Sequence, residues 1–445
     1  MSATSALPAS PYAASPDPAD DLLDYVDASP TPFHACAESV RRLEAAGFRA
    51  LDERESWTLA PGDKVYVTRG GASVLAFVVG AVPPDRAGFH LVGAHTDSPN
   101  LRLKPRPEVT RHGLHTLGVE PYGGVLFHTW LDRDLSIAGR VLAAREGRIV
   151  PLLVRFERPL ARIPSLAIHL NRSVNTDGLI LNAQQHLPPL VGLESVGPLD
   201  LREQLAERLA ETGEHVDADH ILAFDLSLFD VVPSTRSGLH GELLHAPRLD
   251  NLASCHAALS AFLTVDGPRD ATRGIVLYDH EECGSRSAQG ADSPFLRATL
   301  ERLVVAGEHR ADSLHRALAR SFFISADMAH AIHPNYAEKH EPAHMPHLGR
   351  GPVIKSNASQ SYATDGESWA TFTALCQRAN VAPQHFVTRS DIGCGSTIGP
   401  ITAALLGLRT VDVGNPMLSM HSVRELCAAS DVAQMIAVLR TFFAS

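Results

Sequence analysis

Two adjacent glutamates directly after an apolar run constrain this chain more than any other feature. The run IVLY at 275–278 is followed by DHEECGS at 279–285, which contains Glu281 and Glu282. Such a run is typical of a buried parallel strand. In open α/β sheets, ligands bind at the carboxyl ends of the strands. The pattern therefore predicts an α/β fold with both glutamates at the functional edge of its sheet.

Two carboxylates in a partly buried place repel each other, and one of them takes up a proton unless a cation compensates. A divalent metal is the usual compensation. One glutamate would then be a ligand and its neighbour a general base for a water on the metal. The alternative is an acidic surface turn, which is the commoner explanation for an isolated Glu-Glu pair. The choice depends on whether other segments supply ligands.

Other segments do place metal-binding residue types after strand-like runs. His95 follows the apolar residues 89–92, and Asp97 can accept a hydrogen bond from the second ring nitrogen, as metal-binding histidines require. Asp327 follows the run FFI at 322–324. A structural histidine followed by an Asp-Ser-Pro turn is an equally good explanation of the first segment taken alone.

Two more donors flank helical segments. Asp250, in RLDNL, precedes residues 253–265, which have the composition of a buried helix, although an N-cap is the common role for such an aspartate. His421, in LSMHSVRE, is expected to open the C-terminal helix. Together the five donors suit two zinc ions bridged by one carboxylate, with a water between them: His95, Asp250, Glu282, Asp327 and His421.

Composition limits the class of partner. The formal charge of −11 and the absence of a basic run argue against nucleic acid and anionic membranes, which leaves small or peptidic ligands. No stretch reaches the ~18 apolar residues of a membrane helix and no signal peptide is visible, so a cytoplasmic protein is expected. Six scattered cysteines fit reduced thiols.

A chain of 445 residues exceeds one typical core, and its texture changes between 104 and 241. Ligand-like residues stop at Asp97 and resume at Asp250, while the block between them is rich in Gly, Pro and short strand-like segments such as 125–130. We therefore expect an inserted β-rich domain, 104–241, between the catalytic parts 1–103 and 242–445. Residues 1–18, rich in Ala, Ser and Pro, are expected to form a mobile tail or an arm ordered only by a neighbour.

The motifs resemble those of the aspartyl aminopeptidase family of two-metal exopeptidases. The resemblance covers GAHTDSPNLRLKP at 93–105, RLDNL, DHEECGS, SADMAHAIHPNY, DIGCGSTIGP and LSMHSVRE, in the family's order. It implies a three-layer α/β/α zinc-exopeptidase catalytic domain and an inserted domain for dimerisation, assembled into a tetrahedral homododecamer. It also implies removal of N-terminal residues, with Asp or Glu preferred, from peptides with a free N-terminus.

The resemblance also implies roles for single residues. Asp250 would bridge two Zn²⁺ ions in each subunit, with Co²⁺ or Mn²⁺ as alternatives, and Glu281 would be the general base. Asp97 would support His95, and Lys355 would pair with an acidic substrate side chain. His169 would act in the active site of a neighbouring subunit, although a structural role is the default for a histidine in its apolar context. Further substrate contacts are implied for His330, His333, Tyr362 and Gly395.

Two other functions fit the same residues. A carboxypeptidase or deacylase on a similar metal scaffold would cleave N-acylated substrates and ignore free N-termini. A metal-loaded assembly without catalysis would not need the additional carboxylate of Glu281. Release of free amino acids from unblocked peptides, with and without a chelator, distinguishes the three functions.

Overall fold

The computed structural model describes residues 17–305 and 310–445, so most of the expected N-terminal tail lies outside the described residues. The chain divides into two compact units. One contains Ser98–Pro233 and His421–Arg424. The other contains the remaining described residues and carries most of the predicted site.

Several of the described helices begin at a side-chain cap, and the first helix is an example. The Asp17 carboxylate accepts a hydrogen bond from the backbone N–H of Ala19, and Pro18 occupies the first helical turn, where no N–H is needed. In chain order the α-helices of the described residues are α1 (Pro18–Ala28), α2 (Pro32–Ala45), α3 (Pro84–Ala87), α4 (Val174–Asp177), α5 (Ala183–His186), α6 (Leu201–Glu211), α7 (Leu249–Leu263), α8 (Phe295–Val305), α9 (Ser313–Arg320), α10 (Gly366–Arg378), α11 (Ile398–Leu406) and α12 (Ala429–Ala444). None of them is both long enough and apolar enough to cross a bilayer.

The strands form three sheets. In chain order they are β1 (Arg49–Ala50), β2 (Lys64–Arg69), β3 (Ser73–Val78), β4 (Phe89–His95), β5 (Asn100–Arg111), β6 (Leu114–Tyr122), β7 (Leu135–Arg145), β8 (Arg148–Arg155), β9 (Leu190–Leu193), β10 (Ile221–Asp230), β11 (Thr235–Ser237), β12 (Leu243–Ala246), β13 (Thr272–Tyr278), β14 (Phe322–Ala326), β15 (Ala329–His330), β16 (Val353–Ser356), β17 (Gln384–Val387), β18 (Arg409–Gly414), β19 (Pro416–Leu418) and β20 (Glu425–Ala428).

The largest sheet has the order β1-β2-β3-β13-β4-β14-β18-β16-β17. Its central strands β13, β4, β14 and β18 are parallel neighbours, so their carboxyl ends meet at one edge. Alternate residues of β13 enter two different hydrophobic cores: Ile275 and Leu277 pack with α7 and α12, whereas Val276 and Tyr278 pack with α8 and α11. Helices therefore cover both faces, which confirms the predicted α/β class and gives the three layers that the resemblance implied.

The second unit is built on a six-stranded antiparallel sheet with the order β8-β7-β10-β5-β6-β9. Helix α6 contributes Leu201, Leu205 and Leu209 to the core of this unit. The strand-like segment 125–130 was wrongly interpreted, because Phe127–Trp130 forms a 3-10 helix. This unit is the sheet-rich part that accompanies the α/β part.

A small five-stranded sheet, β11-β12-β20-β19-β15, joins the segments that lead to and from His421. The predicted start of the C-terminal helix at His421 was wrong. The helix α12 begins at Ala429, because residues 425–428 pair with β12 and β19 as strand β20.

Candidate metal centre

Three adjacent parallel strands bring the predicted acids and the first histidine to one edge of the nine-stranded sheet. His95 is the last residue of β4, which lies between β13 and β14. Glu281 and Glu282 follow β13, and Asp327 follows β14 directly. The strand-end reasoning applied to the sequence therefore holds in the structure for these four side chains.

Asp250 reaches the same place from the start of α7. Asp250 and Asn251 have non-helical backbone angles inside the first turn of that helix. The N–H of Asp250 donates to the Glu425 carboxylate at 3.0 Å, and the Asn251 side-chain amide donates to the Ala326 carbonyl at 2.9 Å. Glu425 and Asn251 were missed in the sequence, although both stand in the motifs that carry the resemblance.

The distances in this group suit a metal ion. The Nε2 atom of His95 lies 3.5 Å from Asp250 Oδ1, 3.6 Å from Asp327 Oδ1 and 3.9 Å from Glu281 Oε2. One ligand atom from each of His95, Asp250 and Glu282 lies within 4.8 Å of the others. A ring nitrogen and carboxylate oxygens around one small volume match the donors that zinc takes in enzymes.

Asp97 contacts more of the site than the sequence indicated. The Nδ1 atom of His95 lies 3.0 Å from the carbonyl oxygen of Asp97 and 3.4 Å from its carboxylate. The two carboxylate oxygens accept hydrogen bonds from the N–H groups of Glu281 and Glu282, both at 3.1 Å. Asp97 therefore fixes the ring of His95 and also the backbone that carries both glutamates.

Burial and neighbouring charges shift the pKa values of this group strongly. Burial raises the pKa of Glu281 to about 8, although His95 acts in the opposite direction. Burial also raises the pKa of Glu282 well above its usual range, and Asp250 adds to the effect. For His95, burial acts to lower the pKa, but hydrogen bonds to Asp250 and the other carboxylates raise it well above its usual value. A divalent cation would compensate such a concentration of negative charge.

Lys355 lies beside this group. Its side chain is buried in β16, where Nζ lies 3.3 Å from Asp327 Oδ2 and donates to the Met328 carbonyl at 3.1 Å. The ammonium group also lies 5.1 Å from the centre of the Tyr362 ring. A protein carboxylate therefore already accompanies the lysine that the sequence assigned to a substrate carboxylate.

A cavity of about 390 Å³ lies in the same unit. Four of the predicted substrate contacts line it: His330, His333, Tyr362 and Gly395. Lys355 is not among its lining residues. The lining also includes residues that the sequence analysis did not select, among them Lys339, His340, Arg389 and Met417–Met420. His330 follows Asp327 by three residues, so the cavity and the metal-binding group share one segment of chain.

The two remaining predicted residues belong to the other unit. His421 has a φ of 68°, and its Nδ1–H donates to the carbonyl oxygen of Gly124 at 3.1 Å. His169 lies in the 3-10 helix Ile168–Leu170 and is exposed. The group of His95, Asp250, Glu281, Glu282 and Asp327 is thus formed by the nine-stranded-sheet unit alone.

A histidine and four carboxylates, gathered at the carboxyl edge of an α/β sheet, are typical of a metal-dependent enzyme. The family model described as Aminopeptidase I zinc metalloprotease (M18) matches residues 25–443. A probable M18 family aminopeptidase 2 from Pseudomonas fluorescens is 51% identical over 429 residues, which cover 95% of this chain and 97% of that protein.

Solved structures give the same result. In the cryo-EM structure of the Ape4 and Nbr1 complex, the similar chain has a TM-score of 0.93 and 40% identity, with 96% of this chain and 85% of that chain covered. The S. cerevisiae mApe1 dodecamer has a TM-score of 0.84 and 30% identity, with 96% of each chain covered. This chain belongs to the M18 family of zinc aminopeptidases. The family prediction from the motifs is confirmed, and with it the metallo-aminopeptidase class.

Proposed function

We propose that this protein removes N-terminal residues, with Asp or Glu preferred, from peptides by means of two zinc ions. The observation that carries the proposal is the buried group around His95 Nε2, in which Asp250 and Asp327 approach within 3.6 Å. The proposed ligands are His95, Asp250, Glu282, Asp327 and His421, with Asp250 as the bridge. When bound, zinc supplies a Lewis acid that lowers the pKa of water towards neutrality; Co²⁺ and Mn²⁺ are alternatives.

Glu281 is the proposed general base. Its carboxylate lies 3.9 Å from His95 Nε2. Its backbone N–H donates a hydrogen bond to the Asp97 carboxylate, which fixes the position of the Glu281 backbone beside the proposed ligands. Burial raises the pKa of Glu281 to about 8, so its carboxylate is more basic than that of an exposed glutamate, which supports a role in taking a proton from water and passing it to the leaving amine.

The acidic preference is supported by the cavity. Lys339, Arg389 and three histidines line it, against the single carboxylate of Glu341. Arg389 already pairs with Asp391 at 2.7 Å, and Lys355 pairs with Asp327 at 3.3 Å while its Nζ lies 5.1 Å from the centre of the Tyr362 ring. We assign the preference to Lys339, which lines the cavity, and also to Lys355, which rests on the family resemblance alone because it does not line the cavity. Lys355→Ala and Lys339→Ala should each reduce kcat/KM for N-terminal Asp more than for N-terminal Leu, and equal losses on both substrates contradict the assignment.

Assembly to a homododecamer is also proposed, and the similarity to the S. cerevisiae mApe1 dodecamer supports it. His169 would then serve the active site of a neighbouring subunit. Large apolar side chains beside it are exposed in the described chain, with Leu166 at 62% and Leu170 at 74%, as expected of a segment that another subunit covers. A cytoplasmic location remains a prediction from the sequence.

One experiment separates the proposed activity from its alternatives. The purified protein is given peptides with free and with acetylated N-termini, with and without a chelator, and zinc is measured beside the released amino acid. We expect zinc-dependent release from free N-termini alone. Cleavage of the acetylated peptides would favour a deacylase or carboxypeptidase, and bound zinc without turnover would favour a non-catalytic assembly.

A further inference from the structure

The side chain of Asp412 is fully buried and takes no part in the proposed chemistry. It lies on β18, between β14 and β16, where it pairs with Ser325 on one side and with Lys355 on the other. Residues that face each other across neighbouring strands point to the same side of a sheet. Asp412 therefore shares its face of the sheet with Lys355, close to the cavity and the metal-binding group.

The carboxylate of Asp412 binds two separate segments. Oδ1 accepts a hydrogen bond from the Thr397 hydroxyl at 2.6 Å, and Oδ2 accepts one from the N–H of Ala363 at 2.6 Å. The backbone N–H of Asp412 also donates to the Thr364 hydroxyl at 2.9 Å. Each side-chain oxygen of Asp412 thus accepts a hydrogen bond from a different segment, so this one buried side chain anchors both.

Each anchored segment leads directly into the cavity lining. Tyr362 precedes Ala363, and Gly393 and Gly395 precede Thr397 in the glycine-rich segment. Gly399 allows the close approach on this side, because a Cβ there would collide with the Asp412 carboxylate. The first turn of α11, which contains Gly399, therefore lies directly against the Asp412 side chain.

We infer that Asp412 is a positioning residue for substrate: it fixes two walls of the cavity, one carrying Tyr362 and the other carrying Gly393 and Gly395. The inference rests on the proposed function, in which the cavity receives the first side chain of the peptide. A group that shapes the cavity without touching the reacting atoms governs substrate binding and selectivity more than the rate of the bound complex.

The test compares two peptides that differ in their first residue: the best N-terminal residue of the wild-type protein, and Ala, which leaves the cavity largely empty. In Asp412→Asn the side-chain amide can no longer accept both hydrogen bonds. We expect KM to rise about tenfold for the preferred peptide, with less than a threefold change for the Ala peptide and in kcat. Zinc content and melting temperature are measured beside the kinetics.

Asp431→Asn is the matched control. Asp431 is also fully buried and also holds a loop, since it accepts hydrogen bonds from the N–H groups of Gly349 and Gly351 at 2.8 and 2.9 Å, but that loop does not line the cavity. The control should leave the KM ratio of the two peptides unchanged. An equal KM rise on both peptides in Asp412→Asn, or the same selectivity change in the control, would overturn the inference.

Thr397 provides a second test if Asp412→Asn does not fold. Thr397→Val removes one of the two anchors, whereas Thr397→Ser retains the hydroxyl. The valine variant should show the selectivity loss and the serine variant should not; a parallel result in both contradicts the inference. If the wild-type protein releases no amino acid, the proposed function fails. Calorimetric binding of the two peptides to the same variants then tests the inference: Asp412→Asn should weaken binding of the preferred peptide more than binding of the Ala peptide, and equal weakening contradicts it.

Discussion

At the scale of single residues, the loop bound by Asp97 carries two acidic residues, a proposed metal ligand and a proposed general base. Glu281 and Glu282 are neighbours in sequence, but we propose different tasks for them: Glu282 has a ligand atom within 4.8 Å of those of His95 and Asp250, and Glu281 lies 3.9 Å from His95 Nε2. A ligand determines whether metal stays bound, whereas a base determines how fast the bound substrate reacts. Substitution by the isosteric amide distinguishes the two.

We expect Glu281→Gln to keep zinc and the fold while kcat falls by roughly 10²–10⁴-fold, which is the usual contribution of a positioned general base. Glu282→Gln should instead lose zinc, because an amide is a poor substitute for a carboxylate ligand. Metal analysis beside steady-state kinetics checks both variants. Clear zinc loss in Glu281→Gln would mean that the two glutamates have the opposite roles.

Asp97→Asn tests the support of the loop that carries the glutamates. An asparagine offers one acceptor oxygen where the carboxylate offers two, so the N–H of Glu281 or of Glu282 loses its partner. We expect zinc affinity to fall by roughly 10–100-fold, as for other groups that hold metal ligands in place. Competition with a chromophoric chelator measures the affinity. Asp52→Asn, on the exposed surface, should bind zinc like the wild-type protein, and an unchanged affinity in Asp97→Asn would contradict the assigned role.

At the scale of elements, the N-terminal helices support the helix that begins at the metal site. In α7, the Nε2–H of His256 donates to Asp21 of α1 at 2.7 Å. Arg42 of α2 donates to the same carboxylate oxygen at 2.8 Å. Burial acts to raise the pKa of Asp21, but hydrogen bonds from His256 and Arg42 outweigh it and lower the pKa to about 2.

The depressed pKa of Asp21 has a defined effect on stability. Its ordinary value is 3.8, so the charged carboxylate stabilises the fold fully above about pH 4, and this contribution is lost as the pH falls towards about 2. Asp21→Asn should lower the free energy of unfolding by about 2 kcal/mol at pH 7. Denaturant unfolding between pH 3 and pH 7 should show the deficit shrinking below pH 4.

The exposed pair of Glu367 and Arg409, at 2.9 Å, provides the control for Asp21. Glu367→Gln should cost less than about 1 kcal/mol, because solvent screens an exposed ion pair. A deficit in Asp21→Asn that stays constant down to pH 3 would show that packing, and not the charge of the carboxylate, stabilises this junction of helices.

The elements also show why part of the site could be predicted from sequence. His95, Glu281 and Asp327 were found because each follows an apolar strand, and parallel strands share one functional edge. The hydrogen bonds from the glutamate N–H groups to Asp97 could not be predicted from the sequence. They join residues about 184 positions apart, and no local sequence pattern indicates such a contact. The pairing of Lys355 with Asp327 could not be predicted either, because it depends on the strand order β14-β18-β16, which the sequence does not reveal.

At the scale of the whole molecule, the proposed active site includes a histidine from a neighbouring subunit. His169 lies outside the unit that holds the metal-binding group and is exposed, with exposed apolar residues on either side of it in the sequence. A histidine presented by one subunit to the site of another could donate a hydrogen bond to the oxyanion that develops during peptide cleavage. One such donor contributes roughly 3–4 kcal/mol to transition-state stabilisation.

Mixing two inactive variants tests this arrangement. His169→Ala chains keep their own base but have lost the donated histidine, whereas Glu281→Gln chains keep the histidine but have lost the base. If His169 acts between subunits, a mixed assembly contains sites with an intact Glu281 and a histidine supplied by the other variant. We therefore expect the mixture to exceed the activity of either parent after subunit exchange, which labelled chains can demonstrate. A mixture no more active than its parents, despite proven exchange, would restrict His169 to its own subunit.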